Sequence, residues 1–357
     1  MSEAGKSKAQ LKAERRALQE AQRAAKAAGG KLPKDVPTST QNEPKKPAQT
    51  SKKPSEAKEL AEELAKQKIT EELHPAFSQL AGSLQLLDTD QACSRLLAAL
   101  SQFVREYERP ADGAFGRSLE AALAAEAGRL SGLSPPLGNL LKQLRHQSLA
   151  LDESLSDDQA KDKIVEWVEE WEEEKLAAAA KTISIYTREK LKPRSTILTY
   201  SWCGLVERIL MEAAEEGLEL RVVVVDAFPE QKGLRLLRSL HKAGLQVTYA
   251  PLAAIHSLLD EVSLVLLGAE AVLGDGSGVG ELGCAVAALA AAHRNVPLLM
   301  PCPTYKFVEK VGKGSIGAWA GGGVEVVGGE LIAGFVTELR LLPATAAAAV
   351  FRLKLAL

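Results

Sequence analysis

From residue 193 to about residue 330 the chain repeats one alternation, which constrains its fold more than any other feature. Six short runs, 196–200 (TILTY), 221–225 (RVVVV), 246–249, 264–267, 297–300 and 324–327, are rich in β-formers. They are near-continuously apolar, the pattern of strands buried on both faces of a parallel sheet. Helical spacing fills the gaps at 205–216, 233–242 and 279–292. Such alternation predicts an α/β unit with a doubly wound parallel sheet. Ligands in these sheets sit at the carboxyl ends of the strands, so a site belongs in the loops after Tyr200, Val225 and Leu267.

Upstream of Lys192-Pro193 there is no strand signal. Apolar residues recur at helical spacing in 57–73, 96–103 and 119–130, with Gly116, Gly132, Pro135 and Pro136 as punctuation. A helix restarts at 138–145 (GNLLKQLR), and 157–191 reads as one long helix with Trp167 and Trp171 on a shared face. Its acidic run Glu169, Glu170, Glu172, Glu173, Glu174 reads as a solvated face. The expected organisation is a helical domain at 57–192 and a Rossmann-like α/β domain at 193–357.

The formal net charge of −2 conceals a split: residues 1–58 carry 14 Lys+Arg against 6 Asp+Glu, and the remainder 30 against 40. The basic segment has no aromatic residue, and five of the chain's 16 prolines fall between Pro33 and Pro54. Too little apolar surface is available there to offset conformational entropy, so residues 1–56 read as a disordered basic tail. Residues 6–26 favour a transient helix, but Leu11 and Leu18 make too thin a seam for a coiled coil. Such a tail beside an acidic body docks on RNA, the ribosome or an acidic partner, or is simply solvated.

The crowding of Lys and Arg in the first thirty residues excludes a secretory h-region, and no apolar stretch is long enough for a membrane span. Cys93, Cys203, Cys284 and Cys302 are 110, 81 and 18 residues apart, neither a disulfide framework nor a zinc knuckle. These features predict a cytosolic chain with no metal centre.

Three features could carry chemistry. Gly278-Val279-Gly280-Glu281-Leu282-Gly283 is a literal G-x-G-x-x-G. It lies about ten residues after the preceding strand, and no acid ends the next one, so it lacks the context of a dinucleotide site. Its glycines fit a loop turn and close helix packing instead. Cys203 follows a strand near a possible helix N-terminus, where a thiolate is favoured, although most such cysteines are buried and inert. Asp226 and Glu270 each end a strand, and their spacing leaves base, ligand and loop cap open.

Taken in order, Ile197-Leu198-Thr199-Tyr200-Ser201, Val223-Val224-Val225-Asp226, Leu267-Gly268-Ala269-Glu270 and Asp275-Gly276-Ser277 resemble a known family. It comprises the regulatory subunits of eukaryotic translation initiation factor 2B and the methylthioribose-1-phosphate and ribose-1,5-bisphosphate isomerases. His74-Pro75, Gly138-Asn139, Asn295-Val296-Pro297, Thr304-Tyr305-Lys306-Phe307 and Thr337-Glu338 extend the likeness from residue 70 to the C-terminus. The segment 12–26 (KAERRALQEAQRAAK) most resembles the basic tail of delta-type members.

The isomerase members use a cysteine in T-H-C-N and an aspartate in G-A-D-R; here those positions hold Ser201 and Glu270, with Ala271 in place of the arginine. Cys203 is two residues out of register. A serine without a partner base has no accessible anion near neutral pH, and one extra methylene misplaces a carboxylate by about 1 Å. The delta-type members' own D-S-R-P also departs here: it reads Asp226-Ala227-Phe228-Pro229, which removes a basic phosphate contact. The resemblance therefore implies no catalytic residues and no cofactor. It implies a regulatory subunit of the exchange factor that returns initiation factor 2 from its GDP to its GTP form. The implied partners are alpha, beta, gamma and epsilon subunits and initiation factor 2 itself, whose alpha-subunit phosphorylation is sensed. Lys142, Arg145 and His146 are the candidate contacts for that partner. The alternative is a sugar-phosphate aldose–ketose isomerase. Residues 279–292, apolar on every face except Glu281, and the charge-poor 331–357 predict an interface with a sibling chain.

Overall fold

The valines of residues 222–225 set the architecture. Val222 and Val224 enter one apolar layer, Val223 and Val225 the other, and all four are buried. The same two-sided burial recurs at Ile197 and Leu198, Leu266 and Val265, Leu299 and Met300, and Val336 and Phe335. In the computed structural model the described residues are 73–350, excluding 79, 81–82, 85–86, 111–112, 131–132 and 310–322. The basic tail expected at 1–56 and, but for Leu73, the helix expected at 57–73 lie outside them.

Among the described residues before 190, every regular element is helical. After a short turn of helix at Pro75–Ser78 come α1 (Thr89–Glu106), α2 (Phe115–Arg129), α3 (Pro135–Leu149) and α4 (Asp157–Trp171). Ser156 and Gln159 form a capping box at the start of α4. The long helix expected over 157–191 runs to Arg188, but a π segment at Glu172–Ala178 separates α4 from α5 (Ala179–Arg188). Leu96, Leu100, Leu119, Leu140, Leu144 and Ile164 are central to the core these helices share.

The expected doubly wound sheet is present. Strands β1 (Thr196–Tyr200), β2 (Arg221–Asp226), β3 (Gln246–Pro251), β4 (Leu264–Leu266), β7 (Leu298–Pro301) and β10 (Gly334–Val336) are parallel in the order β10-β7-β4-β1-β2-β3, and β11 (Leu341–Leu342) adds an antiparallel edge. Helices α6 (Gly204–Glu215) and α7 (Gly233–Lys242) follow β1 and β2.

Two expectations are corrected here. Residues 324–327 form β9, which is not in the parallel sheet but pairs antiparallel with β6 (Gly278–Glu281) in a second sheet. That sheet is completed by β5 (Ala271–Leu273) and β8 (Phe307–Val308). The helix expected over 279–292 begins only at Cys284 as α8 (Cys284–His293), because residues 278–281 are held as strand between β5 and β9. Gly283, at φ 114°, makes the break.

Candidate functional site

Helix N-termini of this chain that face the carboxyl edge of the sheet are met by its own carboxylates. A helix N-terminus offers unpaired N–H groups and a partial positive charge, the features that hold phosphates. At α7, the Gly233 N–H donates to Asp226 Oδ2 at 2.7 Å, which also accepts the Tyr249 hydroxyl at 3.0 Å, while Ala227 N–H donates to Oδ1 at 2.9 Å. At α8, Glu325 reaches across from β9 and accepts the N–H groups of Gly283 at 2.6 Å and Ala285 at 2.7 Å. At α1, Asp88 caps Gln91 N–H at 2.7 Å, and Glu270 accepts Thr89 N–H at 3.1 Å as well as the Thr89 hydroxyl. Asp88 also stands at α6, where a Cβ on Gly204 would lie 3.3 Å from Oδ2. Beyond the helices, Glu338 accepts Thr304 N–H at 3.0 and 3.1 Å and its hydroxyl.

Between these caps lies a buried cation. Lys306 donates to Asp90 Oδ2 and to the Ala269 carbonyl, each at 3.1 Å, and Tyr305 donates its hydroxyl to Asp90 Oδ1. Burial works against the ammonium, but the Asp90 and Glu270 carboxylates outweigh it and hold the lysine above its ordinary pKa. Burial pushes the Asp88 carboxyl up, with the Gln91 N–H pulling part of the way back.

The candidate residues fall out as follows. Ser201 follows β1 in a left-handed conformation (φ 57°), buried, with its N–H on Val225 O at 2.8 Å. Glu270 is engaged by Thr89, and no hydrogen bond joins it to Ser201 among the described residues. Asp226 is a loop and helix cap, not a free base. The thiolate considered at Cys203 is corrected: burial pushes that thiol up to about 12, beyond reach near neutral pH. The G-x-G-x-x-G divides between strand β6 and the Gly283 N-cap, and a Cβ at Gly283 would strike the Tyr200 ring, whose hydroxyl donates to Leu282 O at 2.5 Å. Glu325 occupies that helix end, where a pyrophosphate would have to sit.

Lys142, Arg145 and His146 share α3. Lys142 and His146 are exposed, whereas Arg145 is half-buried and donates from Nε to Glu120 Oε1 at 2.7 Å. Sequence reasoning missed the roles of Asp88, Thr89, Asp90, Glu325 and Glu338. Asp88-Thr89-Asp90 ahead of an apolar period is an N-cap signal that was there to read; Glu325 and Glu338 act on helices and turns 34 to 42 residues away, and local pattern carries no trace of that. Among the described residues, no helix is long and apolar enough to cross a membrane, and no group of three or more His, Cys, Asp or Glu side chains is placed to hold a metal ion.

A helical part joined to a doubly wound parallel sheet, with helix ends at the carboxyl edge capped by the chain's own acids, defines the class: a Rossmann-like α/β protein. The chain belongs to the initiation factor 2 subunit family, whose profile matches residues 89–318. It is 28% identical over 249 residues to translation initiation factor eIF2B subunit delta of Schizosaccharomyces pombe, covering 68% of this chain and 53% of that protein. It is 25% identical over 222 residues to the ribose 1,5-bisphosphate isomerase of Methanocaldococcus jannaschii, covering 58% of this chain and 72% of that one. The crystal structure of eIF2B delta from Chaetomium thermophilum superposes with a TM-score of 0.68 at 25% identity, covering 74% of this chain and 97% of that one. The fold also matches the tetrameric eIF2B-beta2-delta2 complex of C. thermophilum, with a TM-score of 0.69 at 24% identity, over 75% of this chain and 92% of that one. The chain spans about half the length of the curated delta relatives it matches, 53% of one and 40% of another.

Proposed function

We propose that this chain is a delta-type regulatory subunit of the guanine nucleotide exchange factor for initiation factor 2, and that it performs no catalysis itself. The observation that carries this reading is at the carboxyl edge: Glu270, Asp226 and Glu325 accept the N–H groups that open α1, α7 and α8, leaving those helix ends engaged by the chain's own acids. Family membership supplies the assembly, and the engaged helix ends support a role exercised through surfaces. The partners are beta-, alpha-, gamma- and epsilon-type subunits, with exchange on other chains. The helical part senses phosphorylation of the initiation factor 2 alpha subunit through the α3 face at Lys142, Arg145 and His146. A phosphoserine adds roughly −1.5 to −2 charges and favours such a basic face.

The sibling contact falls on α8. On α8, Val286 and Leu289 are 46% and 58% exposed and three residues apart, so they share one apolar face, and Leu282, just before the helix, is 56% exposed. A beta-type sibling covers that face.

Affinity purification of the native protein tests the reading. Recovery of beta-, alpha-, gamma- and epsilon-type subunits is expected; recovery of the chain alone or as a homodimer would contradict it.

A further inference from the structure

Gln143 of α3 starts a series of contacts that reaches the carboxyl edge of the sheet. Gln143 lies between Lys142 and Arg145, and its Oε1 accepts the Trp171 Nε1–H at 3.0 Å. The Trp171 ring meets Tyr305 edge-on, centroids 5.4 Å apart. Tyr305 and Lys306 both hold Asp90, in the first turn of α1, and Lys306 also holds the Ala269 carbonyl. One residue on, Glu270 accepts the Thr89 N–H. A run of contacts thus leads from Gln143 on α3 to the start of α1 and the sheet edge.

One element on this run departs from α-helical geometry. Trp171 ends α4 where the π segment Glu172–Ala178 begins, and Ser94 of α1 donates to Glu172 Oε1 at 2.5 Å. A π segment holds one residue more than the α-helix around it, and it releases that residue only by a shift of register. Such a shift moves Trp171 relative to Tyr305 and pulls on α1 through Ser94. Burial of Tyr305 and Lys306 means the junction repacks as a unit instead of deforming gradually.

We propose that Tyr305 and Lys306 are positioning residues which, through Trp171 and the π segment, make the seat of α1 on the sheet edge depend on what occupies the α3 face. The identity of that occupant rests on the proposed function; the wiring does not. Reciprocity follows: a change at the sheet edge alters affinity at α3 by the same factor.

Hydrogen exchange on the full chain, in its co-expressed assembly, reads the inference at amides 89–91 and 269–271, with 233–242 of α7 as control. In a first arm, Gln143→Ala is expected to raise exchange at 89–91 by about fivefold or more, the lower range of measured couplings, and to leave α7 unchanged. In a second arm, the phosphorylated alpha subunit of initiation factor 2 is added. Exchange at 89–91 is expected to shift by a similar factor in the native chain. The shift should vanish in Tyr305→Phe and in Trp171→Phe, while affinity for the unphosphorylated subunit is kept. No change in the first arm overturns the wiring whatever the partner does. An undiminished shift in both aromatic variants overturns the positioning role. Failure of the partner to bind the native chain overturns the proposed function and leaves the first arm to judge the wiring.

Discussion

Asp226 gathers two N–H groups and a phenol onto one buried carboxylate, and its removal leaves those donors without partners. An orphaned buried donor costs about 1–3 kcal/mol, so Asp226→Ala should lose at least about 2 kcal/mol in urea unfolding, and Tyr249→Phe less than about 1 kcal/mol. Asp88 makes the opposite case for charge. Burial raises its carboxyl pKa in the fold, so the folded state binds a proton more readily than the unfolded chain. Stability contributed by the neutral form is lost as pH rises from the ordinary carboxylate range through that raised value. Asp88→Asn keeps the acceptor for Gln91 N–H and carries no charge. Its stability relative to the native chain should rise across that window and level off above it; a variant less stable at pH 7 than at pH 4, relative to native, would contradict the burial argument. Glycines separate in the same way. Gly283 has φ 114° and no room beside Tyr200, whereas Gly244 has φ 84° and open space. Gly244→Ala should cost about 1 kcal/mol, the left-handed penalty alone, and Gly283→Ala clearly more, by thermal unfolding.

At the scale of elements, what could be read from sequence followed burial. Strands β1, β2, β4 and β7 announce themselves because residues such as Val222–Val225 are apolar on both faces. β10 escaped notice, since three residues beginning with glycine make no period. Residues 324–327 looked like a sixth parallel strand because an apolar run states burial but not direction. The start of α8 was misplaced because Val279 and Leu282 fit a helical spacing, while strand pairing to β5 and β9, set by distant residues, decides otherwise. Asp226 and Glu270 were legible as strand-end carboxylates; the helix ends that they and Glu325 cap were not, since capping across the fold leaves no local signature. The expectation of an all-round apolar helix narrows to a stripe, with Ala287, Ala288 and Ala291 buried inward and Val286 and Leu289 outward. If a sibling covers that stripe, Val286→Glu with Leu289→Glu should keep the isolated chain folded and soluble but stop co-purification with a beta-type partner. Unimpaired assembly by size-exclusion chromatography would move the interface elsewhere.

For the whole molecule, the helical part and the sheet meet at a buried ion pair between residues 216 apart in sequence. Removing one partner of such a pair costs about 3–5 kcal/mol; Asp90, at 31% side-chain exposure, regains part of this from water, so Lys306→Met should lose about 2–3 kcal/mol. Asp90→Asn in the same chain should recover a good part of that loss, because no bare charge is left; an additive double mutant would show the two groups to be independent. This junction and the capping acids crowd the carboxyl edge with the protein's own side chains. The account therefore turns on whether any sugar phosphate enters. Isothermal titration of the purified assembly with ribose 1,5-bisphosphate, with product analysed from the same cell, is the most direct measurement. The account predicts neither binding heat nor ribulose product; turnover that disappears in Glu270→Gln would contradict it and restore the chain to the isomerases.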